Sequence, residues 1–255
     1  MRATDRESRT LREYLREAPF ALAMSSGFFS FFAHTGFMTV LEDEGLLPSR
    51  VSGSSAGALV TGAWAAGLDA PALAAELDQL ERKHFWDPAV GAGLLRGQLF
   101  RERLERLLPN RAFGACRVPA AVSVFEVRGR RTQVIESGDL TAAIQASCAV
   151  PLLFHPVAID GRRYLDGGIL DRPGLAGMPK TEPRVLFHHI GSKSAWRTKL
   201  EVPRRPGMIT VVLDGLPRSG PFKLDAGRQA FRAAREATRR ALDAKIGDGI
   251  VIATA

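Results

Sequence analysis

The chain has 255 residues, 45% hydrophobic and 24% charged, with no internal repeat and no low-complexity tract. That is enough for one large domain or two small ones with a sizeable core, and it excludes disordered, fibrous and solenoid architectures. The net charge of +8, dominated by arginine, favours anionic partners such as phospholipid headgroups, nucleic acid or acidic substrates, without choosing among them.

Cys116 and Cys148 stand far apart with no CxxC spacing, which argues against a disulfide framework and a structural zinc site. The first twenty residues, MRATDRESRTLREYLREAPF, are charged and lack the apolar core of a signal peptide. No apolar run is long enough to cross a bilayer. The expected setting is the cytoplasm, with any membrane contact peripheral.

In chain order, residues 8–17 read as a short basic helix, followed by FALAMSS as a buried strand. The run GFFSFFAHTG is rich in glycine, serine and aromatics and reads as a loop. HTGFMTVLEDEGLLP then reads as a helix, stopped by Gly45 with Pro48 beyond it. RVSG is a short strand, and SAGALVTGAWAAG an apolar helix ending at Gly67. Asp69 caps the next helix, PALAAELDQLERKHF. From Trp86 to about Arg111 the pattern predicts helix and loop. AAVSVFEV and TQVIES alternate as strands joined by RGRR, and Thr141–Cys148 reads as a short helix. FHPVAIDGRRYLDGG predicts a hairpin with Asp160-Gly161 at its turn and a returning strand ending at Asp166. RVLFHHI and MITVVLDG are further strands, and Leu224 to Ile246 a long basic helix. Alternating strands and helices imply a largely parallel sheet with helices on both faces. Ligands in such sheets bind outside the carboxyl ends of the strands, where Ser55 and Asp166 both fall.

GSSAG at residues 53–57 fits G-x-S-x-G, a sharp strand-to-helix bend that raises a nucleophilic serine. Gly53 and Gly57 lack bulk where the two backbones approach. The helix N-terminus after Ser55 favours negative charge nearby. The pentad also fits a plain tight turn. A nucleophilic serine needs a base. Of the five histidines, His188 and His189 at a strand end suit a Ser-His-Asp triad best. Among aspartates, Asp166 precedes Gly167 and Gly168, which let other backbone approach closely; Asp214 is the runner-up.

These segments resemble the patatin-like phospholipases, lipid acyl hydrolases that carry a glycine-rich loop, then GxSxG, then D-G-G/A. Here GSSAG, DGG at 166–168 and the flanks HTGFMTVLEDEGLLPSRVSGSSAGALV and ASCAVPLLFHPVAIDGRRYLDGG match in order and spacing. The resemblance covers about residues 20–175. It implies a single domain of three-layer α/β architecture over 1–255. That domain has a helical extension at 1–19 and a C-terminal part, 176–255, bearing the long basic helix.

The resemblance further implies a Ser55–Asp166 dyad that cleaves carboxylic esters of phospholipids or related lipids through an acyl-enzyme. No metal or cofactor is needed. Backbone N–H groups of Gly27 and Phe28 would form the oxyanion hole, worth about 3 kcal/mol each. The partners it implies are an acyl-ester lipid and, through the basic helix, an anionic membrane surface; nucleic acid is not expected. One departure stands out: the family's loop is a glycine triplet, whereas this chain has SSGFFSFF. A side chain at a positive-φ position there is costly. Phe28, Phe29, Phe31 and Phe32 either pack in the core or line an acyl pocket. Rival readings are a non-catalytic lipid-binding or regulatory protein of the same fold and an α/β-hydrolase esterase using a histidine.

Overall fold

The computed structural model describes residues 8–191 and 202–255, so the first seven residues of the expected N-terminal extension lie outside it. The strands are β1 (Ala21–Met24), β2 (Arg50–Ser54), β3 (Gly93–Leu95), β4 (Ala120–Glu126), β5 (Arg131–Ile135), β6 (Leu152–Phe154), β7 (Val157–Ile159), β8 (Arg162–Asp166), β9 (Val185–Ile190), β10 (Met208–Asp214) and β11 (Ile250–Thr254). The helices are α1 (Leu11–Glu17), α2 (Phe31–Asp43), α3 (Ala56–Ala65), α4 (Ala70–Asp78), α5 (Gln98–Leu107), α6 (Leu140–Ser147) and α7 (Leu224–Asp243).

Nine strands form one sheet in the order β11-β10-β9-β1-β2-β4-β8-β7, with β5 also on β4. The run from β11 to β4 is parallel throughout, and β5, β8 and β7 join it antiparallel. The fold is therefore the expected α/β arrangement of a large central sheet with helices around it. β3 and β6 form a separate two-stranded ribbon.

The pairing of β4 decides where the site lies. Val122 of β4 pairs with Gly53 of β2 and with Ile135 of β5, so β2 and β5 flank it on opposite sides. Val124 pairs with Gln133 of β5 and Asp166 of β8. β2 and β8 thus share one side of β4, end to end. β2 runs out at Ser54 opposite Ser123, and β8 arrives from the other direction with Asp166 opposite Val124.

Helix packing follows from small residues placed where backbones cross. Gly36 of α2 lies against the Phe231 carbonyl oxygen of α7, where a Cβ would have to push that backbone aside. Glu42 ties three helices together: its carboxylate accepts from Trp64 Nε1 at 2.6 Å and from the Ala70 backbone N–H at 2.7 Å. The main core runs from Leu11 and Tyr14 of α1 to Val251 and Ala253 of β11. Strand alternation sends Ala21, Ala23 and Phe187 to a second, smaller cluster with Met178.

Several boundaries differ from the sequence expectation. α2 begins at Phe31, not at His34, so Phe31 and Phe32 are helical and Phe32 is buried in the core. α7 ends at Asp243 rather than Ile246. β3 and β11 were not expected at all: three residues with two glycines nearby, and five after a glycine-rich turn, give too little periodicity to read.

Replacing Glu42 by alanine strands an indole N–H and a helix N-terminal amide. The expected loss is about 2 kcal/mol, read as a melting temperature lower by roughly 4–8 °C. An unchanged melting temperature would show that the Glu42 bonds contribute nothing net.

Candidate active site

Ser55 is the turn between β2 and α3. Its φ of 52° and ψ of −121° lie in a region that side chains avoid, at a cost of roughly 1–3 kcal/mol. The flanking glycines make the bend possible. A Cβ on Gly53 would sit 2.6 Å from the Ala58 nitrogen, and one on Gly57 would overlap the Met24 carbonyl oxygen at the end of β1. The result is a serine at the N-terminus of a ten-residue helix, 8% exposed.

A relay of hydrogen bonds holds that strained backbone. The Ser55 N–H donates to Ser147 Oγ at 2.8 Å, and the Ser147 hydroxyl donates to the Ser123 carbonyl at 2.7 Å. The Ser123 hydroxyl in turn donates to Asp171 Oδ2 at 2.6 Å. Asp171 also gathers backbone N–H groups from Gly174, Leu175 and Ala176. None of Ser123, Ser147 and Asp171 stood out in the sequence. Their signal is tertiary: one pair is joined across 24 positions and another across 92.

The Ser55 hydroxyl donates to Asp166 Oδ2 at 2.6 Å. Asp166 Oδ1 accepts the Gly168 N–H at 2.7 Å, and the Asp166 N–H donates to the Ala149 carbonyl. The first glycine after it is required sterically, because a Cβ on Gly167 would overlap the Ser123 carbonyl oxygen. Burial pushes the Asp166 carboxyl up to about 6, against the opposing pull of its bonds from Ser55 and Gly168. Cys148 lies alongside, its Sγ 3.3 Å from the Ser55 carbonyl. Desolvation, and then the Asp166 charge, raise its thiol well above the usual range and disfavour the thiolate.

The loop after β1 departs from the expected glycine geometry in a specific way. Neither Gly27 nor Phe28 takes a positive φ; Phe29 does, at 55°. Its strained backbone is offset by packing, since the Phe29 ring contacts Phe28, Phe31 and Phe85 at centroid distances of 5.0, 5.2 and 5.8 Å. Ser219 Oγ donates to the Phe29 carbonyl at 2.8 Å. The Ser25 and Ser26 N–H groups are spent on the carbonyls of His188 and Arg172. Those of Gly27 and Phe28 have no acceptor among the described residues, and both residues line the space beside Ser55.

No histidine bonds to Ser55 among the described residues. His34 Nε2–H donates to the Ser25 carbonyl at 2.8 Å, which leaves its Nδ1 as an acceptor. His188 Nδ1 lies 2.9 Å from it and must therefore donate, so both tautomers follow from the geometry. His188 also stacks on Phe37 at 3.8 Å. Burial drives His34 down to about 3, His188 well below its ordinary value and His189 to about 4. The neutral, buried rings of His34 and His188 brace the start of the loop at Ser25, while His189 packs against Phe187. Asp214, the other aspartate singled out, caps Gly215 and lines a groove but does not bond to Ser55.

Two spaces meet at Ser55. One is an apolar cavity of about 110 Å³ walled by Phe28, Phe29, Leu59, Leu77, Leu104 and Phe154. The other is a wider groove of about 650 Å³ with mixed walls, including Asp166, Arg172, Asp214 and Arg218.

A serine at a strand-to-helix elbow, the aspartate bonded to it and an apolar cavity thus share the carboxyl edge of the sheet. The chain belongs to the patatin-like phospholipase family, whose model matches residues 22–177. It is 34% identical over 154 residues to uncharacterized NTE family proteins of Mycobacterium bovis (Mb1092c) and Mycobacterium tuberculosis (Rv1063c). That match takes in 59% of this chain and 43% of each relative, so the chain corresponds to less than half of their length. Its fold is similar to VipD from Legionella pneumophila, with a TM-score of 0.66 at 15% identity over 89% of this chain and 67% of that one.

The raised carboxyl and the lowered imidazoles act oppositely on stability. Asp166 titrates higher folded than unfolded, so its contribution is present below the unfolded value near 4 and lost as pH rises through about 6. Asp166→Asn is therefore expected to melt higher than the parent at about pH 8, and the gap should close near pH 4. His34 titrates lower folded than unfolded, so its contribution is lost as pH falls below about 6.5 toward 3. Paired melting curves across that range check both signs.

Proposed function

We propose that this chain is a serine lipid acyl hydrolase that cleaves carboxylic esters of phospholipids or related lipids through a Ser55–Asp166 dyad. The observation that carries the reading is the 2.6 Å bond from the Ser55 hydroxyl to a buried carboxylate beside an apolar cavity. Family membership supports the substrate class.

The steps follow from what each group can do. Asp166, as carboxylate, takes the Ser55 proton while Oγ attacks the ester carbonyl carbon. Negative charge moves to the carbonyl oxygen, where the open N–H groups of Gly27 and Phe28 and the α3 N-terminus stabilise it. Collapse breaks the ester C–O bond, and protonated Asp166 gives its proton to the departing alcohol. The acyl group is then on Ser55. Water enters, loses a proton to Asp166 and attacks the acyl carbon; the fatty acid leaves and Ser55 recovers its proton.

A carboxylate with an ordinary pKa near 4 is a feeble base for a serine hydroxyl. Raising Asp166 to about 6 brings it closer to the working pH while leaving it mostly ionised at neutrality. The apolar cavity accepts the acyl chain, which leaves the wider groove for the alcohol portion. No helix among the described residues is long and apolar enough to cross a bilayer, and the membrane contact of this reading is a peripheral one.

Fatty-acid release from phospholipid vesicles tests the reading. Wild type should release fatty acid and Ser55→Ala essentially none. Asp166→Asn should fall by about a thousandfold or more. Activity expressed as kcat/KM should rise with pH through an apparent pKa of about 6. An active Asp166→Asn protein that loses all turnover on His189→Ala would contradict the dyad.

A further inference from the structure

The expected membrane contact was the long basic helix, but its arginines are engaged within the molecule. Arg228 donates to the carbonyls of Asp78 and Leu80 and pairs with Asp225. Arg235 and Arg239 pair with Asp43, and Arg240 donates to the Thr254 carbonyl. They clamp α7 to its neighbours.

Of the nine large apolar side chains left in solvent among the described residues, Leu47, Val90, Leu94 and Ile252 lie apart, and the other five stand around the opening onto Ser55. Phe28 stands between the apolar cavity and the groove and is 55% exposed. Gly220 approaches its ring, and two residues on is Phe222, 68% exposed and edge-on to Trp86 at 5.4 Å. Across the opening, Val150 and Pro151 line the groove and Leu152 follows, 84% exposed. Leu152 also holds a φ of 67°. That backbone belongs to the turn from Val150 that opens β6, and it leaves the Leu152 side chain in solvent. Directly after the Asp-Gly-Gly run, Ile169 lines the groove and Leu170 is 58% exposed.

Positive charge borders this rim. The Arg82 guanidinium lies 5.0 Å over the Phe222 ring, and Arg218 lines the groove with Asp214. β4 and β8 run past the end of β2, so their outer turns project beyond the sheet edge that carries Ser55. Arg131 and Arg162 there both pair with Glu126. Arg128, Arg130 and Arg163 are exposed beside them, against Asp160 in the hairpin turn, and leave the projection net positive.

We propose that this rim, with Phe28, Leu152, Leu170 and Phe222 as its apolar contacts and the arginine-bearing projection beside it, is the surface that seats the protein on an anionic lipid bilayer. Apolar side chains enter the interface while cations meet headgroups, the combination that holds peripheral proteins. Docked this way, Ser55 faces the lipid, and an acyl chain passes from bilayer to cavity without crossing water. The proposal rests on the lipid-substrate reading for its direction, but it is tested without turnover.

The test uses Ser55→Ala protein, which cannot consume the vesicles. Co-sedimentation is measured with phosphatidylcholine vesicles, with and without phosphatidylglycerol, beside melting curves for every variant. The parent should bind, and more tightly with phosphatidylglycerol. Replacing Leu152, Leu170 and Phe222 together by serine should weaken binding at least about tenfold with the melting temperature held. Arg128→Gln with Arg130→Gln and Arg163→Gln should remove the gain from phosphatidylglycerol, as should high salt. Arg232→Glu on α7 should change binding by less than about threefold. Parent protein that binds neither vesicle, a serine triple variant that binds like the parent, or binding lost only on Arg232→Glu would each overturn the proposal. If binding holds while wild type releases no fatty acid, the hydrolase reading fails and the docking surface stands.

Discussion

The site depends on one feature of strand pairing. β4 is long enough to serve two partners on the same side, β2 up to Ser123 and β8 from Val124. Because one arrives parallel and the other antiparallel, their ends meet, and the meeting places a serine and an aspartate from distant parts of the chain 2.6 Å apart. Close packing surrounds the junction. Gly53, Gly57 and Gly167 each face backbone atoms that a Cβ would strike. The Ser147–Ser123–Asp171 relay fixes the Ser55 amide from beneath.

That junction stores unfavourable energy in two places. Ser55 occupies a strained backbone conformation, and Asp166 is a carboxylate with little water around it. Both cost stability, and in the proposed mechanism both would serve nucleophilic chemistry: the bend lifts the hydroxyl off the sheet, and desolvation would make the carboxylate a better base. The neighbouring histidines show the contrasting case. His34 and His188 are as deeply buried, but in the neutral form they bond to each other and His34 holds the Ser25 carbonyl, while His188 Nε2 is left without a partner among the described residues.

The pentad and the Asp-Gly-Gly run were legible in the sequence because backbone crowding writes itself as glycine, and glycine next to serine or aspartate is easy to see. The parallel core was legible because strands β1, β9 and β10 are short apolar runs between turn residues, and β2 was marked by its place between Pro48 and the serine-glycine pentad. What could not be read was set at long range. The His34–His188 pair joins residues 154 positions apart, and nothing local to either marks it. The run SSGFFSFF looked like loop because serine and glycine dilute its pattern, yet Phe31 already starts α2 and Phe29 takes the left-handed conformation that a glycine was expected to hold. Packing of three aromatic rings around Phe29 overrides the local preference. The basic helix was read correctly as a helix and incompletely as a surface, since the partners of its arginines come from α2, α4 and β11.

The central claim is that Ser55 is a nucleophile made reactive by Asp166. The most direct measurement is peptide mass spectrometry after treatment with a fluorophosphonate, which transfers its phosphonyl group to an activated serine with loss of fluoride. The account predicts one adduct, on Ser55, formed faster as pH rises through about 6 and not formed on the same timescale in Asp166→Asn. An adduct on another residue, or labelling of Ser55 that is indifferent to Asp166, would contradict it.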